Sequence, residues 1–213
     1  MQGEGTGRQN EDKSEVNVVK QIPDFDTELD QSISFIFESE ITKKALVRPP
    51  FVNFANILLE IIHSIDRLAD NCHMAEFTNH AMPHICSIIK RASEWAESDG
   101  WIKRISSQEA AYILLALLIH DIGMLSQDAK YIPAKERSRY IKGSSDIANW
   151  VRRTHVIRID GLVKYILNEY IKKDMELEIH LNVIIGMASS HDKWPWQHGF
   201  VSCQDEIRKL NLT

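Results

Sequence analysis

Several features typical of secreted or membrane-bound proteins are missing from this chain of 213 residues. Its three cysteines, Cys72, Cys86 and Cys203, are odd in number and form no Cys-x-x-Cys pair, so we expect reduced, buried or half-buried thiols and not a disulfide framework. The longest apolar run is far shorter than a membrane span, and the polar first residues lack the apolar core of a signal peptide. These absences predict a cytoplasmic protein without a membrane partner.

An excess of basic residues is also missing, because 25 Lys and Arg stand against 30 Asp and Glu and the formal net charge is -5. No overall positive field would draw such a chain to a nucleic acid duplex or to anionic lipid. Long stretches of period-two alternation and internal repeats are absent too, which argues against an extensive sheet. The length and the hydrophobic content of 44% suit one good-sized globular domain.

From residue 51 onward, apolar residues recur at helical spacing over most of the chain. The pattern predicts helices at 51–72, 78–97 (capped by Thr78 or Asn79), 107–122, 147–157 (capped by Ser144-Ser145-Asp146), 160–172 and 175–190. Ser106 and Glu109 fit a capping box, and Gly123 fits a C-terminal stop. Residues 124–144 are predicted to be a basic loop. We expect a partly disordered N-terminal extension at 1–50 and a single all-α bundle at 51–213.

One dipeptide, His120-Asp121, directly follows the unbroken apolar run 110–119. A helix this apolar is expected to be buried on all sides, and an ionised carboxylate at its end costs several kcal/mol unless it is paired. A metal ion is the simplest partner for a neutral imidazole and a carboxylate together. Histidine with carboxylate suits Fe, Mn, Co, Ni or Zn, and it argues against Ca, which prefers oxygen ligands alone.

Other histidines recur where they can complete such a site. His80 and His84 are four residues apart and share a helix face, so both or only one of them can reach a metal. Adjacent helical residues point about 100° apart, so His120 and Asp121 can contact one ion only where the helix frays. The two oxygens of Asp121 also allow it to bridge two ions.

The order His84, His120-Asp121-Ile-Gly, His155 and His191 resembles the HD-domain superfamily of metal-dependent phosphohydrolases over roughly residues 51–200. The segment HAMPHICSII resembles the first motif of that family, with His84 matched to its first metal histidine. HDIG at 120–123 matches the signature at the end of a buried helix. The segments WVRRTHVIRI and IIGMASSH resemble the further histidines of binuclear members.

This resemblance implies an HD-type bundle that binds one or two divalent transition-metal ions (Fe, Mn, Co, Ni or Zn). The implied metal ligands are His84, His120, Asp121, His155 and His191. A metal-activated water would hydrolyse a nucleotide, a cyclic nucleotide or a similar phosphate ester, a small phosphorylated partner. His155, or His191 with Asp192, would transfer protons if not bound to metal. The substrate-binding residues are expected to be Arg152, Arg153 and His80.

One family feature has no clear match. The family closes its first metal site with a later Asp, for which Asp192 and Asp205 are the late candidates, unless that residue lies beyond Thr213. The alternative to an enzyme is therefore an HD-type regulatory or sensor module that binds metal without turnover, as part of a larger protein. The sequence is compatible with a homo-oligomer for either function. A helical scaffold without metal would leave the buried His120-Asp121 unexplained.

Overall fold

The computed structural model describes residues 27–72, 81–126, 128–131 and 147–190. Within these ranges the protein is all-α and contains no strand, which confirms the predicted fold class. Eight helices pack together in the described ranges: α1 Glu28–Glu38, α2 Glu40–Val47, α3 Phe54–Asp70, α4 Met82–Ser98, α5 Ser107–Ile119, α6 Ile147–Ile166, α7 Asn168–Ile171 and α8 Met175–Ser189. Short 3₁₀ turns lie at Trp101–Lys103, Ile122–Met124 and Ala129–Tyr131. None of the helices described is long and apolar enough to cross a bilayer.

Helix α5 lies at the centre of the bundle. It begins with the predicted capping box: the Ser106 hydroxyl accepts from the Glu109 backbone N–H at 3.1 Å, and the Glu109 carboxylate accepts from the Ser106 N–H at 2.7 Å. Helices α2, α3, α4 and α8 pack around it. Its buried side chains therefore lie on all sides, and its C-terminal end places His120 and Asp121 inside the bundle.

Residues 28–47, which the sequence pattern assigns to an N-terminal extension, form two helices that belong to the packed bundle. The side chains of Thr27 and Ser39 cap their N-termini. Ile36, Ile41 and Ala45 are completely buried in the same core as α5. Helix α2 packs directly on α5, so these residues help to fix the central helix.

Helix α6 runs without interruption through Asp160-Gly161, where the sequence pattern predicted a new helix start, and that prediction was wrong. A Cβ at Gly161 would lie 2.5 Å from the carbonyl oxygen of Tyr131. The glycine therefore permits close contact between α6 and the 3₁₀ turn at 129–131. Helix α4 begins at Met82, later than predicted, and the cap candidates Thr78 and Asn79 lie outside the described residues.

A buried chain of polar side chains connects α5 to α8. The amide nitrogen of Gln108 donates to the Tyr112 hydroxyl at 2.7 Å, and this hydroxyl is hydrogen-bonded to Nδ1 of His180. Burial lowers the pKa of His180, although the charges of Glu176 and Asp174 oppose the shift. Neutral His180 is therefore the form that the folded bundle favours.

Replacing Gly161 with Ala should destabilise the protein. At a solvent-exposed position in the middle of a helix, this change would raise the free energy of unfolding by about 0.5–1 kcal/mol. Here the added methyl group would press on the Tyr131 carbonyl, and such overpacking costs about 1–3 kcal/mol. Urea unfolding followed by circular dichroism should show a net loss. Asp160→Ala, at the neighbouring half-exposed position, should change stability by less than about 0.5 kcal/mol; an increase for Gly161→Ala would contradict the packing.

The lowered pKa of His180 predicts a loss of stability in mild acid. Below the unfolded value of 6.5, the unfolded chain binds a proton that folded His180 resists, so the free energy of unfolding falls until the folded pKa is passed. The slope from one histidine is at most about 1.4 kcal/mol per pH unit. Urea unfolding of wild type and His180→Asn between pH 8 and pH 5 measures the difference. Parallel profiles for the two proteins would contradict the assignment.

Candidate metal centre

Three helices bring histidine and carboxylate side chains together at one end of the bundle. His84 lies in the first turn of α4, His120 and Asp121 follow the end of α5, and His155 lies on α6. One ligand atom from each of His84, His120 and Asp121 lies within 4.8 Å of the others. The described residues thus form a group able to hold a metal ion from side chains distant in sequence.

The carboxylate of Asp121 is the centre of this group. Its Oδ2 atom lies 3.1 Å from Nε2 of His120 and 3.6 Å from Nε2 of His84. Its Oδ1 atom lies 3.8 Å from Nε2 of His155. Asp121 and His155 are buried, so the two oxygens face different imidazoles in a place with little access to water.

Backbone carbonyls fix the orientation of two of the imidazoles. Nδ1 of His120 lies 2.8 Å from the carbonyl oxygen of Leu117, and Nδ1 of His155 lies 2.6 Å from that of Arg152. A carbonyl only accepts, so each Nδ1 must donate its hydrogen. In the neutral ring, the lone pair is then on Nε2, which faces the Asp121 carboxylate. Lone pairs and a carboxylate repel one another unless a proton or a cation lies between them, and this donor set suits a metal ion.

The distances also suit ligands of a shared ion. Nitrogen and carboxylate ligands lie about 2.0–2.2 Å from a metal such as zinc, so two ligands of one ion are about 3.0–3.5 Å apart. The separation of 3.1 Å between Oδ2 and Nε2 of His120 lies within this range, and the separation of 3.6 Å between Oδ2 and Nε2 of His84 lies just above it. The separation of 3.8 Å between Oδ1 and Nε2 of His155 is longer, and the group of three ligand atoms within 4.8 Å of one another is formed by His84, His120 and Asp121.

The local backbone explains how two adjacent residues face one site. His120 keeps helical dihedral angles, whereas Asp121, with φ -109° and ψ 5°, leaves the helix and starts the 3₁₀ turn. Gly123 is not the left-handed stop that the sequence suggested, because Gly100 is the glycine with positive φ among the described residues. A Cβ at Gly123 would instead collide with the backbone carbonyl of His155. Glycine here lets the turn lie directly against α6.

The remaining predicted site residues divide into two groups. Arg152 and Arg153 are exposed on α6 just before His155, and the backbone carbonyl of Arg152 accepts from Nδ1 of His155. Their binding of substrate stays a prediction. His80, His191 and Asp192 lie outside the described residues, as does Asp205.

Sequence reasoning missed Arg158, which is completely buried. Its guanidinium donates to the carbonyl oxygens of Ser126, Val151 (3.0 Å) and Thr154 (3.4 Å). Burial lowers its pKa to about 10, so it stays charged at neutral pH. A signal was present in the sequence. Val151, His155, Arg158 and Leu162 follow helical spacing, which puts Arg158 on the apolar face of α6.

Comparison with models of known protein families places the chain in one of them. A family model described as HD-CE matches residues 74–207, which is more than half of the chain. The matched range contains His84, His120, Asp121 and His155. No curated protein and no solved structure matches the chain.

Replacing Asp121 with Asn should remove most of the metal affinity, because the neutral amide keeps the shape of the side chain and loses the charge that faces three imidazoles. Since changes outside the ligand set already cost about 10–100-fold in affinity, we expect a loss of at least about 100-fold. Calorimetric titration with Mn²⁺, Co²⁺ and Zn²⁺ measures it. Asp160→Asn makes the same chemical change at a half-exposed carboxylate and should bind as wild type. Equal affinity of Asp121→Asn and wild type would refute the site.

Proposed function

Because this chain belongs to the HD-CE family, we propose that it is a metal-dependent phosphohydrolase acting on a nucleotide, a cyclic nucleotide or a similar phosphate ester. One observation carries the proposal: the buried carboxylate of Asp121 faces the Nε2 atoms of His84, His120 and His155. Hydrolysis of a phosphate ester needs an activated water and compensation of negative charge. A site made of imidazoles and a carboxylate suits an ion that supplies both.

The metal ligands in this proposal are His84, His120 and Asp121, with His155 and His191 as further ligands when two ions bind. These residues would hold a divalent Fe, Mn, Co, Ni or Zn ion, which when bound would supply a water of lowered pKa and compensate negative charge on the phosphoryl group. The carbonyl oxygens of Leu117 and Arg152 keep the imidazoles of His120 and His155 in the tautomer that presents Nε2 to the site.

Proton transfer in this proposal belongs to His155 when a single ion is bound. Its ring is buried, Nδ1 donates to the Arg152 carbonyl, and Nε2 lies 3.8 Å from Oδ1 of Asp121, so Nε2 is the ring atom that can accept a proton inside the site. His191 with Asp192 is the second proposed pair for this step, on the basis of the sequence resemblance.

Substrate binding is proposed for Arg152 and Arg153, with His80 as a further contact. The two arginines are exposed residues on the same helix as His155. A guanidinium binds phosphate oxygens in a bidentate manner and stays charged at any physiological pH. A small phosphorylated ligand is therefore the partner that we propose for this end of the bundle.

A second candidate function is a sensor module that binds metal and ligand without turnover. The observation that favours it is the number of carboxylates: within the described ranges, the metal-binding group contains Asp121 and no other acidic residue. A divalent ion is held less firmly by fewer anionic ligands. Reversible binding of the ion and of a phosphorylated ligand, without hydrolysis, would then be the role of the site. The two functions share the same residues and differ in the fate of the bound phosphate ester.

The test combines metal content with turnover. Protein purified without added metal or chelator is analysed for its elements and then assayed, after reconstitution, for release of product from phosphomonoesters, phosphodiesters, nucleotides and cyclic nucleotides. We expect one or two transition-metal ions per chain and hydrolysis of at least one substrate class. Asp121→Ala should lose both the metal and the activity, whereas Asp160→Ala should keep both.

Each alternative result has a definite meaning. Two ions per chain would favour the binuclear form with His155 as a ligand, and one ion would favour His155 as the proton-transfer group. Bound metal with ligand affinity but no hydrolysis of any substrate class would favour the sensor. No bound metal after reconstitution, or full activity of Asp121→Ala, would overturn the proposed function.

A further inference from the structure

The buried guanidinium of Arg158 connects the chain after Asp121 to helix α6. Its Nη1 group donates to the carbonyl oxygen of Ser126, five residues after Asp121, while Nη2 and Nε donate to carbonyls of α6 itself at 3.0 and 3.4 Å. The ring of Trp150 covers the guanidinium, with 4.9 Å from Cζ to the ring centroid. Each of these contacts comes from the same planar group, whose donors point in fixed directions.

Arg158 is the middle of three contacts along one face of α6. Gly123 lies against the backbone of His155, Ser126 is bonded to Arg158, and Tyr131 lies against Gly161. The three α6 positions are spaced by three residues, so they lie on one side of the helix. The described residues after Asp121, which are 122–126 and 128–131, therefore contact α6 at three positions on one side of that helix.

The chain from Asp121 to Ser126, whose carbonyl Arg158 contacts, is short and has backbone hydrogen bonds of its own. The Met124 N–H donates to the Asp121 carbonyl at 2.8 Å, and the Leu125 N–H donates to the Ile122 carbonyl at 3.1 Å. A turn closed by such bonds moves as a unit. Holding Ser126 against α6 consequently holds Asp121 at a fixed place relative to His155, which is on the same helix one turn before Arg158.

Stability alone is a poor reason for this arginine. Removing a charged group from water costs several kcal/mol, and an apolar side chain of similar volume is often equally or more stabilising at such a position. The acceptors that the structure gives Arg158 are neutral carbonyls, so no opposite charge offsets that cost in the described contacts. What an apolar side chain cannot supply is a fixed bond to the Ser126 carbonyl.

We propose that Arg158 is a positioning residue, which fixes the turn after Asp121 against α6 and thereby sets the separation between the Asp121 carboxylate and His155. The effect on metal binding rests on the proposed function, since the separation between Asp121 and His155 matters for binding only if the cluster holds metal. The claim that Arg158 holds the turn against α6 does not depend on metal. The two parts are therefore measured separately.

The first measurement is amide hydrogen exchange of the metal-free protein. In Arg158→Lys the single ammonium group keeps the charge but cannot reach Ser126 and both α6 carbonyls together. We expect the amides of Met124 and Leu125 to exchange at least tenfold faster, while amides in the middle of α5 slow or quicken only with overall stability. Tyr112→Phe is the control, because it removes a buried hydroxyl at the other end of α5 and leaves the turn alone.

The second measurement is binding of Co²⁺, whose visible absorption reports its ligand geometry. Arg158→Lys should bind Co²⁺ about 10–100-fold more weakly than wild type, as expected for a residue that supports the ligands from outside, and its spectrum should change. Tyr112→Phe, even with an equal loss of thermal stability, should keep the affinity and the spectrum. If Arg158→Lys fails to fold, Arg158→Met replaces it, since its side chain fills the space without a charge.

The outcomes separate this inference from the proposed function. Unchanged exchange at Met124 and Leu125 in the Arg158 variant would overturn the inference, and so would faster exchange with unaltered Co²⁺ binding. Equal effects of Tyr112→Phe and the Arg158 variant on Co²⁺ binding would also overturn it. Failure of wild type to bind Co²⁺ and each of the other transition-metal ions named above would instead refute the proposed function, and the exchange data would still decide whether Arg158 holds the turn.

Discussion

The buried carboxylate of Asp121 is the constraint around which one end of this bundle is arranged. A charge in that position is tolerable only if its surroundings compensate it, and the described surroundings include imidazoles from α4, from the end of α5 and from α6. None of these helices can shift independently without changing the contacts of the carboxylate. The geometry of the candidate metal centre consequently depends on how these helices pack in the apolar core.

Local features of the sequence predicted the fold and part of the site well. The capping box at Ser106 and Glu109 and the unbroken apolar run of α5 are signals contained within a few residues, and the structure reproduces both. The sequence order of the histidines indicated the group formed by His84, His120 and Asp121, because a resemblance to a family carries information about contacts distant along the chain. The roles of His80, His191 and Asp192 stay predictions.

Features that depend on contacts between distant segments could not be predicted in this way. The sequence pattern predicts helix boundaries at Gly123 and Gly161, since a glycine in isolation is most often a stop or a start. Their actual reason is the backbone that lies against them, at His155 and Tyr131, and a sequence pattern does not show which segments touch. Arg158 was overlooked because a charged residue on an apolar helix face looks like an exception until its carbonyl partners are known.

The absence of a polar face on α5 has a consequence for the order of events during synthesis. Helix α2 precedes α5 and can cover one side of it at once, but α8, which covers another side, begins more than fifty residues after α5 ends. At about 5–20 residues per second, the ribosome needs several seconds to make that stretch. During this interval the side of α5 that α8 will cover is exposed to water, and such an apolar surface can bind chaperones or associate with other chains. Substitutions that delay α8 would therefore reduce yield before they alter the finished protein.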